Sequence, residues 1–182
     1  MSSRVVSRVA AALLLSARWD PAVVAGEAVP GGYASVARTH GVPPDILYAV
    51  ALSESGTVVD ALHTRRPWPW TLNVEGTGHF YASRQAAHRA LQGFLAEGRR
   101  SIDVGLMQVS WRWHRDQLGD PWKALDSDHN LRVGARILAT CYRERRDRWD
   151  AVGCYHAPNN QASASRYQRI VEAHWRRISP RG

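Results

Sequence analysis

Of the 24 lysine and arginine residues in this 182-residue chain only one, Lys123, is lysine, and there are only two cysteines, Cys141 and Cys154. The chain has no internal repeat, no low-complexity segment and no interior linker, which argues for one globular unit rather than an array or a string of modules. Its longest leading apolar stretch, from Val9 to Ala17, falls well short of the roughly 20 residues a spanning helix needs, so no integral membrane segment is expected. Two cysteines without a paired histidine and acid do not make a metal site, and the eight histidines are scattered without ligand spacing. Neither a metal nor a cofactor is expected. The formal charge of +8 and pI near 10.3 come from arginines spread along the chain rather than gathered in a stripe, and no recognition motif accompanies them. That argues against a nucleic-acid reader; a basic surface would concentrate the protein near anionic polymers or headgroups, and an arginine-biased proteome would give the same balance.

What is present points to an exported, well-packed domain. Forty-five per cent of the residues are hydrophobic and eight are Trp, enough to bury a sizeable core at this length. Arg4 and Arg8 precede the apolar stretch, and Ala17 or Ala25 could precede a cleavage point. Residues 1–25 therefore read as a signal peptide and 26–182 as the mature domain. In an oxidising compartment Cys141 and Cys154, flanking a charged connection at 143–148, favour a disulfide worth about 3 kcal/mol; two buried free thiols are the alternative.

Apolar periodicity predicts helices over 31–40, from Pro44 toward Gly56, over 83–97, over 104–111, from Asp126 onward, over 150–155 and over 163–177. The helix after Asp126 carries Leu131, Gly134, Ala135, Leu138 and Cys141 on one face and is expected to be central. Between the second and third helices, Arg65-Arg66-Pro67-Trp68-Pro69-Trp70-Thr71-Leu72-Asn73-Val74, the turn Glu75-Gly76-Thr77-Gly78 and His79-Phe80-Tyr81 read as a two-stranded hairpin. The fold class is mainly α with a small β-hairpin insertion.

One residue points to chemistry. Leu47, Val50 and Ala51 fall at the spacing of a buried helical stripe, and Glu54 continues it in the last turn before Gly56. Burial and the negative end of the helix dipole both disfavour its ionisation. A carboxylic acid still protonated near neutral pH can give its proton to a leaving oxygen, the first requirement of glycosidic cleavage. A partly exposed glutamate at a helix end is the other reading.

Glu54-Ser55-Gly56, then Gly105-Leu106-Met107-Gln108-Val109, then Cys154-Tyr155-His156-Ala157, with Asn130 to Ala135 between the last two, resemble in order the motifs of lytic transglycosylases with a lysozyme-like domain of the soluble lytic transglycosylase or goose type. The resemblance spans residues 31–177, and the tryptophan hairpin further resembles members associated with conjugative elements and type IV secretion systems. It implies a lysozyme-like fold, a periplasmic location and peptidoglycan glycan strands as substrate. Secretion or conjugation machinery proteins are the implied partners of a chain expected to be monomeric. Glu54 would protonate the oxygen between N-acetylmuramic acid and N-acetylglucosamine, then accept the proton of the muramic 6-hydroxyl as a 1,6-anhydro ring closes. Gly105, Met107 and Gln108 would line the sugar site, Ser55 would brace the helix end, and Tyr155, with Tyr167 as a second candidate, would orient the acid. His156 stands where the family has asparagine and Pro158 where it has glycine. No second acid stands in a matching motif: Asp103 reads first as an N-cap, and Ser110 occupies the position where goose-type enzymes can carry an acid. Trp68, Trp70, Trp111 and Trp113 are candidate sugar platforms, with Trp68 and Trp70 preferred for substrate or partner contact. The alternatives are a lysozyme-type hydrolase and a non-catalytic wall-binding component.

Overall fold

The computed structural model describes residues 28–59, 64–145 and 147–178; the leader expected over 1–25 lies outside these. Eight helices and six short strands follow in the order α1 (Gly31–His40), α2 (Pro44–Ser55), β1 (Gly56–Val58), β2 (Arg65–Pro67), β3 (Thr71–Val74), β4 (Thr77–Phe80), α3 (Arg84–Ala96), β5 (Ile102–Val104), β6 (Val109–Ser110), α4 (Trp111–Leu118), α5 (Pro121–Ala124), α6 (Ser127–Arg145), α7 (Arg148–His156) and α8 (Gln161–Ile178). The fold is mainly α and lysozyme-like, as expected.

The most enclosed helix is α2. Ile46 through Leu52 are all buried, together with Ser55, because a helix apolar on every side finds no stable place at a surface. It packs against α1 and α8, while the longer α6 lies against α1 and α7. The expected face of α6 is buried, yet α2 rather than α6 is the one surrounded by protein. Pro44 at its first turn supplies the preset φ of a helix start. On α8, Ile170 is 46% exposed rather than on the inner face.

The expected hairpin is β3–β4, closed by Glu75 and Gly76 at φ 54° and 90°, the positive pair of a two-residue turn. It belongs to a larger antiparallel sheet of order β4-β3-β5-β6, whereas Arg65–Pro67, expected in the hairpin's first arm, form β2 and pair separately with β1. The helix expected over 104–111 does not form. Ile102 and Val104 are buried and Asp103 between them is not, a period of two, and Gly105 at φ 78° and Gln108 at φ 43° turn the chain back as β6. The helix in this region starts only at Trp111, where the expected one ended.

Candidate active site

A cleft of about 1210 Å³ runs between the helices and the four-stranded sheet, with Glu54 on one wall and Asn73, Asp103 and Ser110 on the sheet side. The register explains the row on the sheet: Asn73 lies opposite Asp103, and Asp103 opposite Ser110. Alternation then turns all three away from the core that Leu72, Val74, Ile102, Val104 and Val109 fill.

Glu54 projects from the end of α2 with its side chain 12% exposed. Burial is the largest influence on it and lifts its pKa from 4.5 to about 8; a hydrogen bond from Tyr167 opposes the rise, and the charge of Asp103 adds to it. The Tyr167 hydroxyl donates to Glu54 Oε1 at 2.6 Å. His156 stacks on Tyr167, with ring centroids 4.4 Å apart and planes 4° from parallel, and brings its Nδ1 to 3.9 Å from the same carboxylate oxygen. Burial lowers the pKa of His156, which favours the neutral ring. Near neutral pH the site therefore holds a protonated carboxylic acid in reach of open cleft, the state a general acid needs.

Of the two tyrosines expected to orient the acid, only one bonds it. Tyr167, the second candidate, holds Glu54, whereas the Tyr155 hydroxyl donates to the Met107 carbonyl at 2.7 Å. Tyr155 still lines the cleft and feels the charge of Glu54, and burial raises both phenols well above 10, so both stay neutral donors.

The 105–108 turn supports the site. Ser55 Oγ donates to the Leu106 carbonyl at 2.7 Å, bracing the residue beside Glu54 as expected. The buried Asn130 side chain accepts from Met107 N at 2.8 Å and donates to the carbonyls of Val104 and Ala124 at 2.9 and 3.0 Å. Gln108 Nε2 donates to Gly105 O at 2.7 Å and Thr71 O at 3.2 Å. One turn thus joins α2, the sheet, α6 and α7. A Cβ at Gly105 would meet Asn130 Nδ2 at 2.7 Å, so this glycine makes room for a protein amide rather than for a sugar. Met107 is fully buried against Gly134; its side chain belongs to the core, not to the cleft. Gln108 does line the cleft.

Cys141 and Cys154 are joined, with Cα atoms 5.8 Å apart, tying α6 to the helix that carries Tyr155 and His156. Both lie along the cleft. The tryptophan preference is corrected: Trp68 and Trp70 are half-buried against each other, with Trp68 Nε1 donating to Tyr81 O, and neither lines the cleft. Trp111 is core. Trp113 is the cleft tryptophan, 73% exposed beside His114 and Gln117. Asn73 stands in a strand as expected but was not read as a site residue, whereas Asp103 and Ser110 were placed at the start of and within the expected 104–111 helix; the Ile-Asp-Val alternation was the signal that could have found the strand.

Among the described residues no group of three or more His, Cys, Asp or Glu could hold a metal ion, and no helix is long and apolar enough to cross a membrane. A family model described as the transglycosylase SLT domain matches residues 34–174. No curated protein and no solved structure shows significant similarity to the chain.

Proposed function

The chain belongs to the transglycosylase SLT domain family, and from that premise we propose that it is a peptidoglycan lytic transglycosylase with Glu54 as its acid and base. The observation that carries the reading is a carboxyl group only 12% exposed at the edge of a long cleft, with a pKa near 8 and a tyrosine fixing one oxygen. Glu54 protonates the glycosidic oxygen between N-acetylmuramic acid and N-acetylglucosamine as the C1–O bond breaks. The resulting carboxylate takes the proton of the muramic 6-hydroxyl while that oxygen bonds to C1. Water is not consumed, and the acid is regenerated. Gln108, Tyr155, His156 and Trp113 line the glycan path, and Ser55 and Tyr167 keep the acid in place.

The working location is the periplasm, reached through the leader at 1–25, and the biological task is local opening of the wall for conjugation or secretion-system assembly by a monomeric enzyme. The signal-like N-terminus and the basic surface support this setting. Asp103 on the sheet side of the cleft favours one competing reading, a hydrolase with paired carboxylates. Mass spectrometry of products released from purified peptidoglycan by the protein and by Glu54→Gln separates the readings. Anhydro-muramic ends made only by the unsubstituted protein support the transglycosylase. Ends heavier by one water mean a hydrolase, and no product from either favours a wall-binding component.

A further inference from the structure

Asp103 is unlike the other acids of the chain. It stands in the middle of the row Asn73, Asp103, Ser110, on the central strand of three, and faces the cleft that Glu54 faces from the opposite wall. An aspartate inside a strand has poor strand propensity and, here, no arginine or lysine paired with it among the described residues. Its hydrogen bond comes from Ser110. Asn73 beside it carries a buried Oδ1 with no partner. Such a polar strip costs free energy in an empty fold, and its direction into the cleft gives it a ligand to meet.

Resting on the transglycosylase reading, we infer that Asp103 is a second functional carboxylate of this site: as the anion, it stabilises the positive charge that develops on the muramic ring while Glu54 delivers its proton. As the C1–O bond breaks, the electron pair leaves with the glycosidic oxygen, which receives the Glu54 proton, and positive charge spreads over C1 and the ring oxygen. Asp103 neither gains nor loses a proton. It lowers the energy of the cationic sugar until the 6-hydroxyl oxygen closes on C1 and returns its proton to Glu54. Its negative charge also raises the pKa of Glu54, so one group helps to keep the other in its acid form.

The working state thus has Asp103 ionised and Glu54 protonated. Burial raises Asp103 to about 6 against the Ser110 bond, and Glu54 stands near 8. Activity should be present between those limits, lost below the first as Asp103 protonates and lost above the second as Glu54 ionises. A lone Glu54 gives only the alkaline limb. The other groups lining the cleft are His40 from α1, His114 from α4, Tyr155 and His156 from α7 and Tyr167 from α8, with Arg136, Arg143 and Glu144 along α6. The tyrosines stay neutral across this range. The histidines are the competing source of an acid limb.

The test is the pH dependence of kcat for release of anhydro-muropeptides from purified sacculi. The full-length protein is compared with Asp103→Asn, Ser110→Ala, His40→Gln, His114→Gln and His156→Asn, with circular dichroism to show folding. The expected result is a bell for the parent and a kcat lower by roughly 100-fold in Asp103→Asn, with no acid limb and an alkaline limb moved to lower pH. Ser110→Ala should move the acid limb upward, because the bond it removes holds Asp103 down. The histidine variants should keep the acid limb. Parent-like turnover with the acid limb intact in folded Asp103→Asn would overturn the inference, as would an acid limb that vanishes in any of the histidine variants. If Asp103→Asn fails to fold, an unmoved acid limb in Ser110→Ala overturns it. Absence of anhydro ends from the parent instead removes the transglycosylase reading on which it rests.

Discussion

Replacing Glu54 by Gln should abolish turnover and make the protein more stable, by an amount that grows with pH. Burial raises the Glu54 pKa from 4.5 to about 8. The native state therefore binds this proton more tightly than the unfolded chain, and the group's favourable contribution is complete below about pH 4.5 and disappears as pH rises toward the folded value. Each pH unit across that window costs about 1.4 kcal/mol, so at pH 7 the loss is on the order of 3 kcal/mol. Gln never ionises, occupies nearly the same volume and still offers an oxygen to the Tyr167 hydroxyl that now bonds Oε1 at 2.6 Å. Asp103, raised by burial to about 6, gives both proteins a similar pH dependence that largely cancels in their difference. Urea unfolding of both proteins, with the disulfide intact, at about pH 4.5, 6, 7 and 8 measures the gap. It should be near zero at the lowest pH, about 3 kcal/mol in favour of Gln at pH 7 and level above pH 8. A gap independent of pH, or a variant less stable than the parent at pH 7, would refute the claim that the site holds a destabilised carboxylate.

Tyr167→Phe removes the hydrogen bond that pulls the Glu54 pKa down, so the alkaline limb of activity should move up by about one to two pH units, the equivalent of a charge-assisted bond; a downward shift would contradict the assignment. Asn130→Ala strips three buried bonds from the 105–108 turn and should cost about 3 kcal/mol or more in denaturant unfolding, because the backbone groups it leaves stay buried. Paired Cys141→Ser and Cys154→Ser opens a link with a sequence separation of 13 and should cost about 3 kcal/mol, read as a lower urea midpoint. Trp113→Ala should leave the melting temperature unchanged, since the ring is 73% exposed, and raise KM for glycan strands about three- to tenfold; an unchanged KM would remove the ring from the glycan path.

The helices were legible because their pattern repeats over many residues. The Glu54 helix shows three full turns of apolar spacing from a proline start to a glycine stop, and Ser83, Asp126 and Gly98 mark other ends in the expected places. Beyond the β3–β4 hairpin the strands were not, for the same reason. β5 has three residues and β6 two, too few for alternation to outweigh the N-cap preference of an aspartate followed by an apolar residue. That choice decided the reading of Asp103, because a capping aspartate spends its carboxylate on backbone N–H groups and a strand aspartate presents it to whatever the sheet faces. The row Asn73, Asp103, Ser110 depends on register between segments some 30 residues apart in sequence, which no local pattern contains.

The site itself was legible to the extent that it is built locally. Glu54 and Ser55 sit side by side on one helix end, and the sequence fixes both the burial of one and the bracing role of the other. Met107 was read as a sugar contact and Tyr155 as the group that orients the acid, but the structure joins the two, hydroxyl to carbonyl at 2.7 Å, while Tyr155 still lines the cleft. Tyr167, 113 residues from Glu54, makes the contact that Tyr155 was expected to make. That contact has a consequence for His156. Stacked on Tyr167 and 3.9 Å from the carboxylate, it adds a titratable ring where the family pattern has a neutral amide. Protonated, that ring would draw Glu54 toward its ionised form; neutral, as burial favours, it leaves the acid protonated. The departure from the family pattern leaves Glu54 in its acid form while the histidine is uncharged, the state that partial burial favours even with 47% of its side chain exposed.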